Sequence, residues 1–545
     1  MAESKWVCGV VPRAHGGHLV DRAPLPTAAP RDPPAFVTRP TLLGGPRVST
    51  GAPRPIAGIE APRRGLAIVV VMIGVMITAI DTTIVVLALP EIERSLHVAL
   101  DSVIWVVIGY LLVITLLATQ VGRLGDMFGR VKMYEAGFVV FIVGSALCAL
   151  SFNETSIVVF RLLQGVGGAL VTANSGAVIA DLFPREHRGR AYGYNSVGFS
   201  VGAVCGILLG GAIVTSLSWR WIFWINVPIG LIGVGLALRV LRERTERAHH
   251  RLDPLGMASL ALGLFGILWA VTKLATKPLD AELLGYLLGG LVMVLCFVLI
   301  ERSVDEPMLD LSLFKVPAMT PSLLAAFFQG LANYAVLFLV IMYLQGARHL
   351  SPIHASVLLV PGYLVGAVVG PTAGRLADRF SPVLPATTGL AVQVIALFIY
   401  AHLSPTTGLW LVVLASVVNG LGASAFFPAN NAAVMKASPA RAFGISSGML
   451  RTFANVGMVF SLAILIASRS ITRRLAFAIF VGSTSLRGDL AAAFTTGLHA
   501  AFYASMGIMA MAAVLSATRA TRISRNQPAS RPHPGAGMNE PSPGR

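Results

Sequence analysis

Two charged residues interrupt apolar runs of this 545-residue chain: Asp81, within Ile77-Thr78-Ala79-Ile80-Asp81-Thr82-Thr83, and Arg161, a few residues beyond Ser156. An ionisable group held in hydrocarbon is costly enough to be a functional candidate by default. Burial disfavours an ionised carboxyl and a nearby cation favours it, so a change in either term can load or release a proton. Asp81 is therefore expected to carry proton coupling, with Arg161 as its modulator. The plainer alternative is a static ion pair that locks two helices together.

A second pattern is a repeat. The segment Gly122-Arg123-Leu124-Gly125-Asp126-Met127-Phe128-Gly129-Arg130 has a counterpart in Gly374-Arg375-Leu376-Ala377-Asp378-Arg379-Phe380, 252 residues later. Glycines let two antiparallel helices connect tightly. Asp126 can accept hydrogen bonds from bare donors at a helix start, or pair with Arg130. Gly122, Asp126, Arg130, Asp378 and Arg379 thus read as a latch, made in one conformation and broken in another. The alternative is a solvated loop with ordinary surface charge. Gly202, Gly206 and Gly210 recur every four residues, a face suited to a hinge or seal, or simply to close packing. Gln164, Gln329, Asn333 and Tyr334 are polar positions within helices; they are candidates for a substrate pathway or for interhelical hydrogen bonds.

The elements that must position these residues follow from composition. Apolar residues make up 55% of the chain and charged residues 12%, with a mean hydropathy of +0.75. A soluble protein of this length covers itself with more charge. Fourteen spans are expected: 66–89, 102–121, 133–151, 156–180, 191–214, 221–240, 254–272, 283–301, 320–344, 355–373, 385–402, 407–429, 442–467 and 496–517. The predicted fold is an all-α polytopic membrane protein of two six-helix bundles with an inserted helix pair. The divisions are a basic disordered tail at 1–64, a first bundle at 65–241, an inserted segment at 242–317, a second bundle at 318–517 and a disordered tail at 518–545. The repeat supports two related halves around a central path.

The net charge is +17, yet its distribution argues against a nucleic-acid partner. With the N-terminus inside, the six inner loops, counting Arg239 with the link after the sixth span, hold 17 Lys/Arg and the seven outer loops 9. That asymmetry is the positive-inside rule, and it places both termini in the cytoplasm. Asp81 comes out about 22 Å from the inner surface and Arg161 about 8 Å below the outer one. In a core about 30 Å thick the two charges lie at similar depth. The first apolar run begins near Leu66 and is of full length, so no cleavable signal sequence is expected. The four cysteines (Cys8, Cys148, Cys205, Cys296) suggest neither disulfide nor metal site.

The first repeat segment resembles the loop motif of the major facilitator superfamily. Arg161-Leu162-Leu163-Gln164-Gly165-Val166-Gly167-Gly168 resembles its helix-four motif, and Gly202-Ala203-Val204-Cys205-Gly206-Ile207-Leu208-Leu209-Gly210-Gly211 its helix-five antiporter motif. Asp81-Thr82-Thr83-Ile84-Val85-Val86-Leu87-Ala88-Leu89-Pro90 and Trp219-Arg220-Trp221-Ile222-Phe223-Trp224-Ile225-Asn226-Val227-Pro228 narrow the likeness to its fourteen-helix drug:proton antiporters. The chain departs twice: Ile207 stands where the motif has proline, and Val86 where it has asparagine. The resemblance spans about residues 65 to 517. It implies a monomer in the cell membrane that exports small amphipathic, often cationic, compounds in exchange for protons, with no cofactor. The sequence has no GxxxxGK[ST] phosphate loop, which favours an ion gradient as energy source. No histidine cluster or nucleophile triad within the spans suggests an enzyme. Export of an endogenous metabolite or lipid-like molecule is the neighbouring alternative, and a non-transporting sensor or scaffold the more distant one.

Overall fold

The computed structural model describes residues 61–96, 105–243, 253–274, 280–304, 307, 309, 311–467 and 489–526. A backbone in lipid must satisfy its polar groups within its own segment, and the described residues are accordingly helical, with no strand among them. The first half comprises α1 (Ala61–Leu96), α2 (Trp105–Phe128), α3 (Arg130–Ala149), α4 (Glu154–Leu182), α5 (Arg188–Ser216) and α6 (Trp221–Val240). The inserted pair is α7 (Pro254–Leu274) and α8 (Ala281–Ser303). The second half comprises α9 (Met319–Met342), α10 (Val360–Arg379), α11 (Val383–Tyr400), α12 (Leu409–Ala437), α13 (Phe443–Ala467) and α14 (Asp489–Asn526). Thirteen described stretches are long and apolar enough to cross a membrane, and α13 fills the remaining predicted position.

The predicted tails fall mostly outside the described residues, as does most of the arginine-rich link with Arg244, Arg247 and Arg251. α14 continues to Asn526, past the expected end at 517. The repeat segments are a correction as well. Gly122–Phe128 is not a loop but the last turns of α2, and Gly374–Arg379 ends α10 in the same way. The chain reverses at Gly129 alone, whose φ of 113° is a left-handed conformation that favours glycine. The polar residues of the first segment are held within the protein: Arg123 and Asp126 are buried. The face bearing both segments is called inner below, following the charge asymmetry.

Leu288, Leu291, Leu295 and Leu299 of α8 are 50–58% exposed, an apolar flank suited to lipid. α7 lies against α2 and α13. The two halves meet along two seams, α2 with α13 and α5 with α10. Both are built on small residues. A β-carbon on Gly122 would strike the Gly444 carbonyl, and one on Gly374 the Gly189 carbonyl. Such absence of side chains lets backbones approach where apolar contact alone drives nothing.

Candidate functional site

Asp81 is fully buried on α1, and Arg161 of α4 reaches it: Nη1 donates to Oδ2 at 2.7 Å and to Oδ1 at 3.0 Å. Gln164, one turn along α4, donates from Nε2 to Oδ1 at 2.8 Å and accepts from Arg161 at 2.7 Å. Asn226 of α6 adds a donor to Oδ1 at 3.3 Å and is held by the Ser145 hydroxyl of α3 at 3.2 Å. Arg161 Nε donates to the Val106 carbonyl of α2 at 2.8 Å, and its guanidinium lies 4.3 Å from the Tyr110 ring centroid. Five helices of one half therefore converge on a single carboxylate. A buried ion pair survives desolvation only when its remaining lone pairs and protons are also satisfied, as they are at Asp81.

The inner seams carry the second cluster. Asp126 accepts from the backbone N–H groups of Gly444 and Ile445, each at 2.9 Å. These are bare donors in the first turn of α13, where the helix dipole also favours a negative charge. Arg130 donates from Nε to Asp126 at 2.8 Å, and its other nitrogens reach Asp181 at 2.5 Å and the Ala440 carbonyl at 2.7 Å. Across the molecule Asp378 accepts from Gly189 and Arg190, the first turn of α5, at 2.8 Å each. Lys436 stands 3.5 Å from Asp378. Arg379 does not join this cluster: it is exposed, with its guanidinium over the ring of its neighbour Phe380.

Between the halves lies a cavity of about 60 Å³, lined by Thr82, Thr83 and Val86 of α1, Ile207 of α5 and Tyr334 and Leu337 of α9, with Ser356, Leu359 and Tyr363 closing it. That is far below the few hundred Å³ of an ordinary small-molecule site. Both seams on the face called inner are shut.

A model described as Major Facilitator Superfamily matches residues 71–462, well over half of the chain. The chain belongs to the major facilitator superfamily. It is 30% identical to the tetracenomycin C resistance and export protein of Streptomyces glaucescens, over 75% of this chain and 77% of that one. It is 28% identical to the riboflavin transporter RibZ of Clostridioides difficile, over 74% and 87% respectively. Among solved structures, the proton:xylose symporter XylE with bound 6-bromo-6-deoxy-D-glucose shares the fold at a TM-score of 0.59 and 13% identity, covering 84% of this chain and 95% of that one. The chain is thus a multi-pass membrane protein with the family and fold of a superfamily of transporters.

Read as a superfamily member, the chain places its motif residues unevenly. Gln164 is fully buried against Asp81 and lines no part of the cavity. Gln329 is 1% exposed and half-buried Asn333 points its Oδ1 at no partner. Of the four polar positions expected on the pathway, Tyr334 alone borders the cavity. Gly202 and Gly206 pack on α1, where a β-carbon would strike Met76 and the Thr83 hydroxyl. Their face therefore seals the first half internally rather than the interface between halves; Gly210 is buried on the same helix. The interface uses Gly189 and Gly193, one end of the same α5. Both departures from the family motifs, Val86 and Ile207, sit on the cavity wall.

Some residues were not foreseen. Arg188 donates to the Ala180 carbonyl at 2.8 Å and to the Met435 carbonyl at 3.0 Å, joining α4 to α12. Phe443 lies under the guanidinium groups of both Arg130 and Arg188, at 5.2 and 4.5 Å. Glu243 accepts from the Val131 N–H at 3.1 Å, capping α3. Trp221 is 52% exposed, as an interfacial belt requires, but Trp219 is buried. Asn153 caps α4 by accepting from the Ser156 N–H at 2.8 Å.

Proposed function

We propose that the protein is a proton-coupled exporter in the cell membrane, carrying small amphipathic or cationic compounds from the cytoplasm by alternating access. The observation that carries this reading is the position of Asp81: a fully buried carboxylate beside the Arg161 cation, on the helix whose next residues, Thr82 and Thr83, border the cavity. Ionised, Asp81 ties α1 to α4 and α6. A proton on the carboxyl removes the charge that holds Arg161, frees α1 to tilt and reshapes the cavity wall. Substrate and proton therefore act on one helix from two sides, which is what exchange requires: each favours a different position of α1.

Cargo must enter when the inner seams part and leave outward when they close. Energy comes from the proton gradient, and the functional unit is a single chain. The similarity to a drug export protein supports efflux; the similarity to a riboflavin transporter keeps a metabolite as the second reading for the cargo. The test is transport of a fluorescent amphipathic cation into everted vesicles energised by a proton gradient. Gradient-dependent uptake that a protonophore collapses, and that Asp81→Asn lacks, is expected. Uptake indifferent to the protonophore would overturn the coupling.

A further inference from the structure

At the inner end of the second half, the starts of α9 and α11 and the ends of α12 and α14 enclose a cavity of about 210 Å³, lined by Ala318, Val383, Ala433, Ala437, Lys436 and Arg519 among others. Arg519 is fully buried there, and its Nε, Nη1 and Nη2 have no hydrogen-bond partner. The buried guanidinium groups of Arg130, Arg161 and Arg188 each donate several hydrogen bonds. A buried guanidinium with none is among the most unfavourable groups a fold can hold. Its planar fork of donors fits the oxygens of a phosphate or carboxylate. Among the described residues no acidic side chain lines the cavity, and a second cation, Lys436, does. The remaining walls are alanine, valine and proline, a surface for apolar carbon next to the anion.

We propose that this cavity is a binding site for a phosphate-bearing anion, gripped by Arg519 and flanked by Lys436. Such an anion comes either as the headgroup of an acidic phospholipid in the adjoining leaflet or as free phosphate. Lys436 also faces Asp378, which caps α5 across the seam. The site and the α5–α10 seam thus share one cation, so occupancy bears on how firmly that seam closes. This inference is independent of the proton-coupled reading and tests binding alone.

The full-length protein is placed in phosphatidylcholine nanodiscs, with and without phosphatidylglycerol, and its thermal unfolding is followed. Phosphatidylglycerol is expected to raise Tm by several degrees in the native protein and not in Arg519→Gln, since a ligand that binds only the folded state stabilises it. Inorganic phosphate titrated into phosphatidylcholine discs separates the sources: an equal gain means the free ion suffices, and no gain assigns the lipid headgroup. An equal rise in native protein and Arg519→Gln, or no rise with either probe, overturns the proposal. Arg519→Met supplies a second readout. It removes an unpaired charge, so in phosphatidylcholine it should unfold no lower than the native protein; a large drop would reveal an internal partner and equally overturn the assignment.

Discussion

Asp126 and Asp378 do the same work in opposite directions: each closes one half of the molecule onto the first turn of a helix from the other. Asp126, at the end of α2, takes the N–H groups of Gly444 and Ile445 in α13. Asp378, at the end of α10, takes those of Gly189 and Arg190 in α5. Each contact exists only while its seam is shut, and each gathers two donors that would otherwise be bare.

Asp126→Asn should therefore favour the inner-open state. The variant loses charge from two amide hydrogen bonds and from the contact with Arg130, together roughly 3 kcal/mol, or about a hundredfold in the open-to-closed ratio. Ser447, 4% exposed near this seam, can be replaced by cysteine and labelled with a membrane-impermeant reagent from the inner face. Labelling should quicken in the Asp126→Asn background. An unchanged rate would remove Asp126 from the gate.

Glycine positions offer a steric version of the same experiment. Gly444→Val places carbon against the Gly122 carbonyl, whereas Gly289→Val on α8 meets nothing within 4 Å. The first should abolish transport while the protein still inserts, because the seam cannot close. The second should leave transport within about twofold of native, as expected of a surface change. Equal behaviour of the two would contradict the seam as a moving part.

Asp81 and Arg161 must be tested together. Asp81→Asn alone leaves a buried guanidinium without its counter-charge, at a cost of about 3–5 kcal/mol, so lost transport could reflect lost fold. Asp81→Asn with Arg161→Gln removes both charges and should recover most of the stability in a thermal melt. It should not recover gradient-driven transport. If it does, the pair is a static lock and the proton is carried elsewhere.

The cavity wall predicts a change in cargo preference. Val86→Asn introduces an amide beside Thr82, Thr83 and Ile207. For an apolar cargo the added desolvation should raise the half-saturation concentration about tenfold, from 1–2 kcal/mol. Competition assays with apolar and hydroxylated compounds should show the preference shifting toward the latter. A uniform loss for all compounds would mean that Val86 acts on the fold rather than on selection.

Much of the architecture could be read from residues because lipid makes burial explicit: a span announces itself by length and composition. Depth could be read too, since rise per residue placed Asp81 and Arg161 at one level, and the structure joins them at 2.7 Å. Direction around a helix could not. Gln164 and Asn226 belong to helices apolar on most sides, so periodicity gave no hint that both face Asp81. The α2 and α10 ends looked like loops because they are polar and glycine-rich, yet helix continues there because the protein itself satisfies the polar groups: Asp126 is buried against Gly444, Ile445 and Arg130. Partners in the other half, such as Asp126 with Ile445, lie 319 residues apart and leave no local trace. Arg519 looked like the start of a tail; only packing shows it enclosed.

The inserted pair breaks the equivalence of the two seams. Gln120 of α2 donates to the Met257 carbonyl of α7 at 2.9 Å, and Arg123 to the Pro307 carbonyl at 3.3 Å. α7 rests on α2 and α13, the two helices of one seam, as a splint would. On the proposed rocking of the halves, the unsplinted side, between α5 and α10, should yield first, and the other should serve as the axle.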